Sequence, residues 1–349
     1  MQTYNLMNNA ERHQYFTDKV GKEITEIKEY LDSGRNFLAF LISPKAAGKG
    51  TKSGFFIELI GEDRVTTISV GDLVRDLNIL LESDDQPKIN ELKNDILKYY
   101  RSTISIDDAF NAVLNREQVT DKIAIPTELI MALVKNKLSK PEFKNKGVFL
   151  DGFPRSLEQV SLSLYLKDIM NFQDNPDFAV LIDAPDEVIK ARLEGRIVCP
   201  LCKSSRHSKL SPTEFVDYNA DTDTYEIKCD NPNCTGYKTE VLQGKEGDSD
   251  GFSRIESRVR TDKALMNEVR KIKGLPIIEV PNSILISENQ YDDYELTPEY
   301  YFEIDENNTV KTVKKKYQLK DDQGEAIYMI EAPTTVLPMI KGIHKILLG

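Results

Sequence analysis

Four consecutive residues, Gly48, Lys49, Gly50 and Thr51, have the types that bind phosphate. They close the stretch SPKAAGKGT, which follows the apolar run 37–42 and precedes a helix-like segment. Backbone N–H groups at the start of a helix bind anions, because the helix dipole gives that end a partial positive charge. Lys49 would then reach the terminal phosphates and Thr51 would ligate Mg²⁺. The stretch predicts a nucleotide-binding loop, with an ordinary strand–helix turn and a surface lysine as the alternative.

A second charged motif lies at the end of another apolar run. The segment VFLDGFPRSLEQ, residues 148–159, ends a buried run with Asp151 and continues to Arg155. A carboxylate in that position is costly unless it serves Mg²⁺ or a hydrogen-bond network. In phosphate-loop enzymes such a residue orients the metal and its waters, and an arginine on the next turn grips an anion with two bonds. In isolation, a capping aspartate followed by a solvated arginine explains the motif equally well.

All four cysteines fall within residues 199–234, as the pairs Cys199-x-x-Cys202 and Cys229-x₄-Cys234. A disulfide framework would spread its bridges through a small secreted chain, so the clustering indicates a metal site instead. Two short turns can present four thiolates in the tetrahedral arrangement that structural Zn²⁺ prefers. Unliganded thiols are the alternative. His207 lies between the pairs and could replace one ligand, but we expect it to be an ordinary surface residue.

The elements that would position these groups are apolar runs followed by helical periodicity. Alternating buried strands and helices predict a parallel sheet that is covered on both faces. A preceding helix is expected over residues 1–36, where apolar residues recur at helical spacing. The five apolar runs are 37–42, 65–70, 147–153, 178–185 and 275–280.

The charge balance bears on partners and location. The 349 residues include 46 Lys and Arg against 57 Asp and Glu, which gives a net charge of −11. An acidic chain is a poor binder of nucleic acid or of an anionic membrane surface. The sequence has no apolar run of membrane-spanning length and no signal segment, so we expect a cytoplasmic protein. We also expect a monomer, and the sequence leaves any protein partner undetermined.

Five motifs together resemble those of one enzyme family. GKGT, SVGDLVRD, PTELIMALVKNKL, LDGFPRSLEQ and DAPDEVIKARLEGR occur in the order and approximate spacing of adenylate kinases. The similarity covers about residues 37–282 and, more weakly, 334–349. It implies a P-loop NTPase three-layer α/β fold with a five-stranded parallel sheet, a helical monophosphate-binding subdomain and a zinc-bearing lid. It also implies reversible transfer of the γ-phosphoryl group from Mg-bound ATP to AMP, which yields two ADP.

The resemblance also divides the chain. The core is expected at 37–69, 128–196 and 254–282 with 334–349. The monophosphate-binding subdomain is expected at 70–127 and the zinc-binding lid at 197–253. Two segments have no counterpart in the family, namely an N-terminal helical extension at 1–36 and an insertion at 283–333 that we predict to be a β-hairpin.

A role for each matching residue follows from the same resemblance. The implied catalytic residues are Lys49, Arg155, Arg192, Arg196 and Arg258. The implied ATP-binding residues are Ala46, Ala47, Gly48, Lys49, Gly50, Thr51, Arg192 and Arg196. The implied AMP-binding residues are Val70, Gly71, Arg75, Gly152, Arg155 and Gln159. The implied metal ligands are Thr51, Asp72 and Asp151 for Mg²⁺, mostly through water, and Cys199, Cys202, Cys229 and Cys234 for a structural Zn²⁺.

The phosphate loop departs from the family pattern. Ser43 and Ala46 stand where glycines are usual, and Lys45, which we expect to point to solvent, stands where a proline is usual. Glycine permits a positive φ, whereas alanine keeps its N–H group but adopts that conformation with strain. Val70 replaces a threonine that commonly contacts the acceptor base.

These departures keep other functions open. One alternative is a catalytically impaired protein of the same fold that binds a nucleotide or a partner. Another is a kinase with a GTP donor or a different acceptor monophosphate. The lid lacks an arginine that the family has, which leaves Arg254 as a candidate for a shifted substitute. The insertion at 283–333 either reshapes selection of the donor base or is a peripheral decoration or an oligomer contact.

Overall fold

The computed structural model describes residues 4–6, 8–115, 125–155, 168–170, 172, 175–245, 251–287, 295–306 and 309–349. The helices in this part of the chain are α1 Asn9–Asp32, α2 Lys49–Ile60, α3 Val70–Glu82, α4 Gln86–Leu97, α5 Ile106–Leu114, α6 Thr127–Leu138, α7 Asp186–Glu194, α8 Glu256–Val269 and α9 Val336–Leu348. The first strands are β1 Phe37–Ile42, β2 Val65–Ser69, β3 Gly147–Asp151 and β4 Asp177–Asp183. Five short strands follow, β5 Arg196–Val198, β6 Ser205–His207, β7 Val216–Asn219, β8 Thr224–Ile227 and β9 Gln243–Gly244. The last strands are β10 Ile277–Pro281, β11 Ser283–Leu285, β12 Pro298–Ile304, β13 Val310–Lys316, β14 Gln318–Lys320 and β15 Ala326–Met329.

The central sheet has five parallel strands in the order β10-β4-β1-β3-β2. Each strand coincides, within about two residues at its ends, with one of the five apolar runs of the sequence. Because every strand is parallel to its neighbours, all five carboxyl ends lie at one edge of the sheet. The predicted five-stranded parallel sheet is confirmed.

Side chains alternate between the two faces of this sheet. Phe37, Ala39 and Leu41 of β1 pack in one core with α1, α2 and α9. Their neighbours Leu38 and Phe40 pack in a second core with α6 and α8. Alternate residues of a strand point to opposite faces, so a continuous apolar run is buried only when helices cover both. The predicted three-layer fold is therefore also confirmed.

Helix α1 is part of the main core. Val20, Ile24, Ile27 and Leu31 recur at helical spacing, and all four are buried. Helix α9 packs along α1, and Nε2 of His344 on α9 lies 2.5 Å from Oε2 of Glu26 on α1. The helical segment therefore covers apolar surface of α2, α9 and the sheet.

Helices α3, α4, α5 and α6 form a separate small core. Val74 and Leu77 of α3 pack against Phe110 of α5 and Leu133 of α6. Asp85 and Ser105 begin α4 and α5 as N-caps, and their side chains accept backbone N–H groups. This helical unit follows β2 and returns to β3, so it lies beside the carboxyl edge of the sheet.

The four-cysteine segment forms a second unit of short strands. Strands β6, β5 and β9 form one antiparallel sheet, and β7 and β8 form a hairpin. Within the described residues, no helix combines the length and apolar character that a membrane crossing requires.

The segment 283–333 contains more than the single hairpin that the sequence suggests. Strands β12 and β13 form one hairpin, and β14 and β15 form a second that is extended by β11. The first hairpin contacts the cysteine unit, because Tyr300 N donates to Lys209 O at 2.7 Å and the rings of Phe302 and Tyr225 lie 5.5 Å apart. The second contacts the core, because Asp186 N donates to Asp322 Oδ1 at 2.7 Å.

Candidate active site

The candidate phosphate loop, residues 43–51, connects β1 to α2 at the carboxyl edge of the sheet. Ala46 has a φ of 67° and Gly48, the N-cap of α2, has a φ of 88°. Two left-handed residues so close together turn the chain sharply, so that the free N–H groups of the first turn of α2 face the loop. The loop therefore needs a positive φ at position 46, where alanine stands in place of the usual glycine.

Ser43 and Lys45, the other two atypical residues, differ in their surroundings. The Ser43 side chain is buried, and its hydroxyl donates to Pro44 O at 3.0 Å. Lys45 is exposed, as expected, but its backbone N–H donates to Asp262 Oδ2 at 3.1 Å. The loop is thus held partly by its own backbone and partly by α8.

Lys49 reaches across the edge of the sheet to the second motif. Its Nζ lies 2.9 Å from Asp151 Oδ1, and both side chains are partly exposed. Asp151 is the last residue of β3, the strand next to β1, and it is in register with Leu41. The loop lysine and the strand-end carboxylate, which the sequence separates by about a hundred residues, therefore meet at one point.

The Arg155 guanidinium group packs closely against the backbone of two glycines, and the tighter contact is at Gly152, which has a φ of 89°. A Cβ atom at Gly152 would be 2.5 Å from Arg155 Nη2, and one at Gly71 would be 3.2 Å from the same atom. Burial and the positive charge of Arg258 lower the pKa of Arg155, while Asp151 and Asp262 raise it. An arginine stays protonated under these conditions, so Arg155 supplies a fixed positive charge beside Asp151.

Asp262 on α8 was missed by the sequence reasoning. It is buried, it accepts the N–H of Lys45, and its Oδ1 lies 2.9 Å from Arg258 Nε. Burial raises the pKa of Asp262, while the charges of Arg258 and Lys49 oppose that rise. One carboxylate thereby orients an arginine and fixes the outer part of the phosphate loop.

Arg192 approaches the loop from α7. Its Nη1 donates to Ala47 O at 3.0 Å, and burial lowers its pKa to about 10. Together with Lys49, Arg155 and Arg258 it surrounds the loop with positive charge from four different elements. Such an arrangement can stabilise the charge on a transferring phosphoryl group.

The remaining predicted site residues lie at the start of α3, at the start of β5 or outside the residues that the structure describes. Asp72 lies in the first turn of α3, where Ser69 Oγ accepts its backbone N–H, and its side chain forms an ion pair with Arg75. Val70 is buried in the apolar core. Arg196 begins β5, opposite His207, and Gln159 lies outside the described residues.

The four cysteines meet in one cluster. The Sγ atoms of Cys199 and Cys234 are 3.8 Å apart, those of Cys202 and Cys229 are 3.7 Å apart, and all four lie within 4.8 Å of one another. A tetrahedral zinc site with Zn–S bonds of about 2.3 Å separates its sulfurs by about 3.8 Å. The donor type and the spacing both fit Zn²⁺.

His207 is not a member of this cluster, and it is not a surface residue. It is buried, its Nε2 donates to Ala191 O at 2.7 Å, and its Nδ1 accepts the N–H groups of Lys209 and Leu210. Both ring nitrogens are therefore occupied by backbone groups in the neutral form. The expectation of an exposed side chain was wrong, because the ring joins the last turn of α7 to the cysteine unit.

The fold and the site define a class of protein. A phosphate loop after a strand of a parallel sheet, a strand-end aspartate and surrounding arginines are the parts of a phosphate-loop phosphotransferase. No family model matches the chain. It is, however, 30% identical over 241 residues to an adenylate kinase of Clostridium kluyveri, and the match covers 68% of this chain and 88% of that relative.

Two further relatives agree with that match. The chain is 34% identical over 247 residues to an adenylate kinase of Clostridium novyi, which covers 70% of this chain and 91% of that relative. A match of 31% identity over 163 residues with an adenylate kinase of Kosmotoga olearia covers 46% of this chain and 60% of that relative. The chain belongs to the adenylate kinase family and is a phosphotransferase. The predicted resemblance is confirmed.

Proposed function

We propose that the protein transfers the γ-phosphoryl group of Mg-bound ATP to AMP and releases two ADP. The observation that supports this proposal most directly is the set of cations around the loop, with Lys49, Arg155, Arg192 and Arg258 contributed by four elements. Phosphoryl transfer needs alignment of two charged substrates and stabilisation of spread negative charge, and little covalent chemistry. The relatives named above carry the same activity in their names.

In this proposal the donor phosphates bind the loop from Ala46 to Thr51. Lys49 exchanges its contact with Asp151 for the terminal phosphates, because a multiply charged phosphate attracts the ammonium group more strongly than one carboxylate does. Arg192 and Arg196 accompany the donor. The backbone N–H groups at the start of α2 complete the cradle.

The acceptor monophosphate binds between α3 and the loop after β3. Arg75 and Arg155 grip its phosphate. Gly71 and Gly152 leave room for the Arg155 guanidinium group. Gln159 is proposed to recognise the base. Arg258 covers the transferred group from α8. No general base is needed, because a monophosphate oxygen is already nucleophilic.

The proposed magnesium ligands are Thr51, Asp72 and Asp151, mostly through water. They supply hydroxyl and carboxylate oxygens, which are the ligands that Mg²⁺ prefers. Asp151 ends β3, and α3 begins directly after the neighbouring strand β2, so both residues lie at the same edge of the sheet as the loop. Bound to the donor, Mg²⁺ supplies charge neutralisation between the phosphates.

The cysteine cluster is proposed to hold one structural Zn²⁺. A site of four thiolates leaves no open position for a substrate, so the metal would stabilise the fold of the cysteine unit. Metal analysis of the purified protein should find about one zinc per chain. Replacing Cys229 by Ser should lower both the zinc content and the melting temperature. A metal-free protein with an unchanged melting temperature would contradict this assignment.

We further propose a cytoplasmic monomer. Four cysteines in one metal-type cluster, rather than in bridges, fit a reducing compartment. The acidic net charge of −11 supports free diffusion rather than association with nucleic acid or a membrane surface. Sedimentation analysis would test the monomer, because a dimer would double the observed mass.

A coupled assay with each pair of nucleoside triphosphate and monophosphate tests the proposed function. We expect the highest kcat/KM with ATP and AMP, and a fall of several orders of magnitude in kcat for Lys49→Met. Near-normal turnover of that variant would refute the mechanism. Higher activity with GTP or with another monophosphate would support the alternative specificity.

The positive φ of Ala46 favours a second candidate function. If the protein bound ATP but transferred phosphate to no monophosphate, it would be a nucleotide-binding relative without turnover. Calorimetric titration with ATP, done on the same preparation as the coupled assay, separates these two outcomes.

A further inference from the structure

A second lysine of α2 lies beneath the phosphate loop. Lys52 is 0% exposed, although it is only three residues beyond Lys49. Its Nζ donates to Ala47 O at 3.0 Å and to Asn282 Oδ1 at 2.7 Å. A Cβ atom at Gly48 would lie 3.0 Å from the same nitrogen, so the amine packs directly against the N-cap of α2.

Such a lysine is costly to bury. Burial, and then the nearby charge of Arg192, lower the pKa of Lys52 well below its ordinary value. Within the described part of the chain, no carboxylate forms an ion pair with it. The two hydrogen bonds of Lys52 offset part of this cost, and both are made to the loop and its support.

Asn282 links this amine to two strand ends. It is 1% exposed, it directly follows β10, and its Nδ2 donates to Asp183 O at 2.6 Å. Asp183 is the last residue of β4. Lys52 therefore connects the loop to the carboxyl ends of two neighbouring strands, at the point where the segment 283–333 begins.

Lys52 contacts the peptide at the turn of the phosphate loop. Ala47 lies between Ala46 and Gly48, which both have a positive φ. Its carbonyl receives Lys52 Nζ and Arg192 Nη1, each at 3.0 Å. Because a peptide unit is planar, fixing this carbonyl also fixes the N–H group of the following residue on the opposite side.

We propose that Lys52, supported by Asn282, is a positioning residue that holds the Ala47 peptide so that the loop presents its N–H groups to the donor phosphates. It acts from behind the loop and does not contact substrate. This role rests on the proposed function, because it concerns the donor half of the same site. It predicts a selective loss of donor binding when the amine is removed.

The test compares Lys52→Met with wild type by calorimetric titration with ATP and, separately, with AMP. Methionine keeps an unbranched apolar side chain and removes the amine that donates the two hydrogen bonds. We expect the Kd for ATP to rise about tenfold or more, as for the loss of the two hydrogen bonds that hold the loop, and the Kd for AMP to stay within about twofold. In the coupled assay the KM for ATP should rise in parallel.

Lys135→Met is the matched control. Lys135 is also buried, but it lies on α6, where its Nζ pairs with Asp168 at 2.5 Å. This variant should lose stability without a change in the Kd for ATP. If Lys52→Met loses stability in the same way and binds ATP within about twofold of wild type, the positioning role is overturned.

Asn282→Leu keeps the proposal testable if Lys52→Met does not fold. It leaves the lysine in place and removes its second acceptor, so the Kd for ATP should rise about threefold or more and the Kd for AMP should not change. An unchanged Kd for ATP would refute the role of Asn282 and of the link. Failure of wild type to transfer phosphate would refute the proposed function alone, since the binding comparison does not depend on turnover.

Discussion

Replacing Ala46 by glycine should stabilise the protein. Ala46 has a φ of 67°, a conformation that costs a residue with a Cβ atom about 1–2 kcal/mol. Glycine removes that cost but loses about 0.5–1 kcal/mol through the greater entropy of its unfolded chain. The expected net gain in the free energy of unfolding is therefore roughly 0.5–1 kcal/mol, or about 1 °C in melting temperature for a chain of 349 residues.

The neighbouring residue provides a control with the opposite sign. Ala47 is fully buried and is not among the residues with a positive φ. Ala47→Gly loses a buried methyl group, worth about 0.8 kcal/mol, and gains the same unfolded-state entropy. It should therefore destabilise the protein by roughly 1–2 kcal/mol.

Urea unfolding followed by circular dichroism measures both variants on one scale. The sign of the difference between Ala46→Gly and Ala47→Gly decides the matter, because both remove one methyl group from the same loop. If Ala46→Gly were destabilised as much as Ala47→Gly, the loop would not store backbone strain at Ala46. The argument from its φ would then be refuted.

Two other perturbations follow from close contacts. Gly152→Ala should lower kcat/KM about a hundredfold, because its Cβ would displace the Arg155 guanidinium group by about 1 Å; an unchanged kcat/KM would remove Arg155 from the site. Burial, and then the charges of Arg192 and Lys209, lower the pKa of His207, so the unfolded chain binds a proton there before the folded one does. The melting temperature should therefore fall as the pH drops below about 6.5. The fall should be smaller for His207→Gln than for the control His13→Gln, which keeps the buried histidine.

The sheet and its flanking helices could be predicted from the sequence because each run has one dominant signal. The run 37–42 is apolar at every position, which fits only a strand covered on both faces, and it became β1. In α1 the spacing of Val20, Ile24, Ile27 and Leu31 marks one buried face, and the structure buries all four. Local pattern and tertiary packing agree in these elements.

Polar residues on apolar helix faces were what the sequence reasoning missed. Lys52 shares a face of α2 with Phe56, four residues later, and Asp262 shares a face of α8 with Val259 and Met266. A single polar residue in an apolar stripe is a signal that could have indicated a buried contact. Which group it contacts depends on chain segments far away, such as Asn282 for Lys52, and spacing along one helix does not contain that information.

The segment 283–333 was incompletely predicted for a related reason. Alternating polarity at VKTVKKK and AIYMIEA indicates strands, but it does not say how many pair or with which partners. Pairing of β11 with β15 joins residues that are about forty positions apart. The outcome was two hairpins with contacts at both the cysteine unit and the core.

Those two contacts have a mechanical consequence. The cysteine unit is joined to the core through the chain at Arg196 and through the bond from His207 Nε2 to Ala191 O. The bond from Tyr300 N to Lys209 O and the packing of Phe302 on Tyr225 attach it to the hairpin β12–β13 as well. Any swing of the unit must therefore either break these last two contacts or carry the hairpin with it.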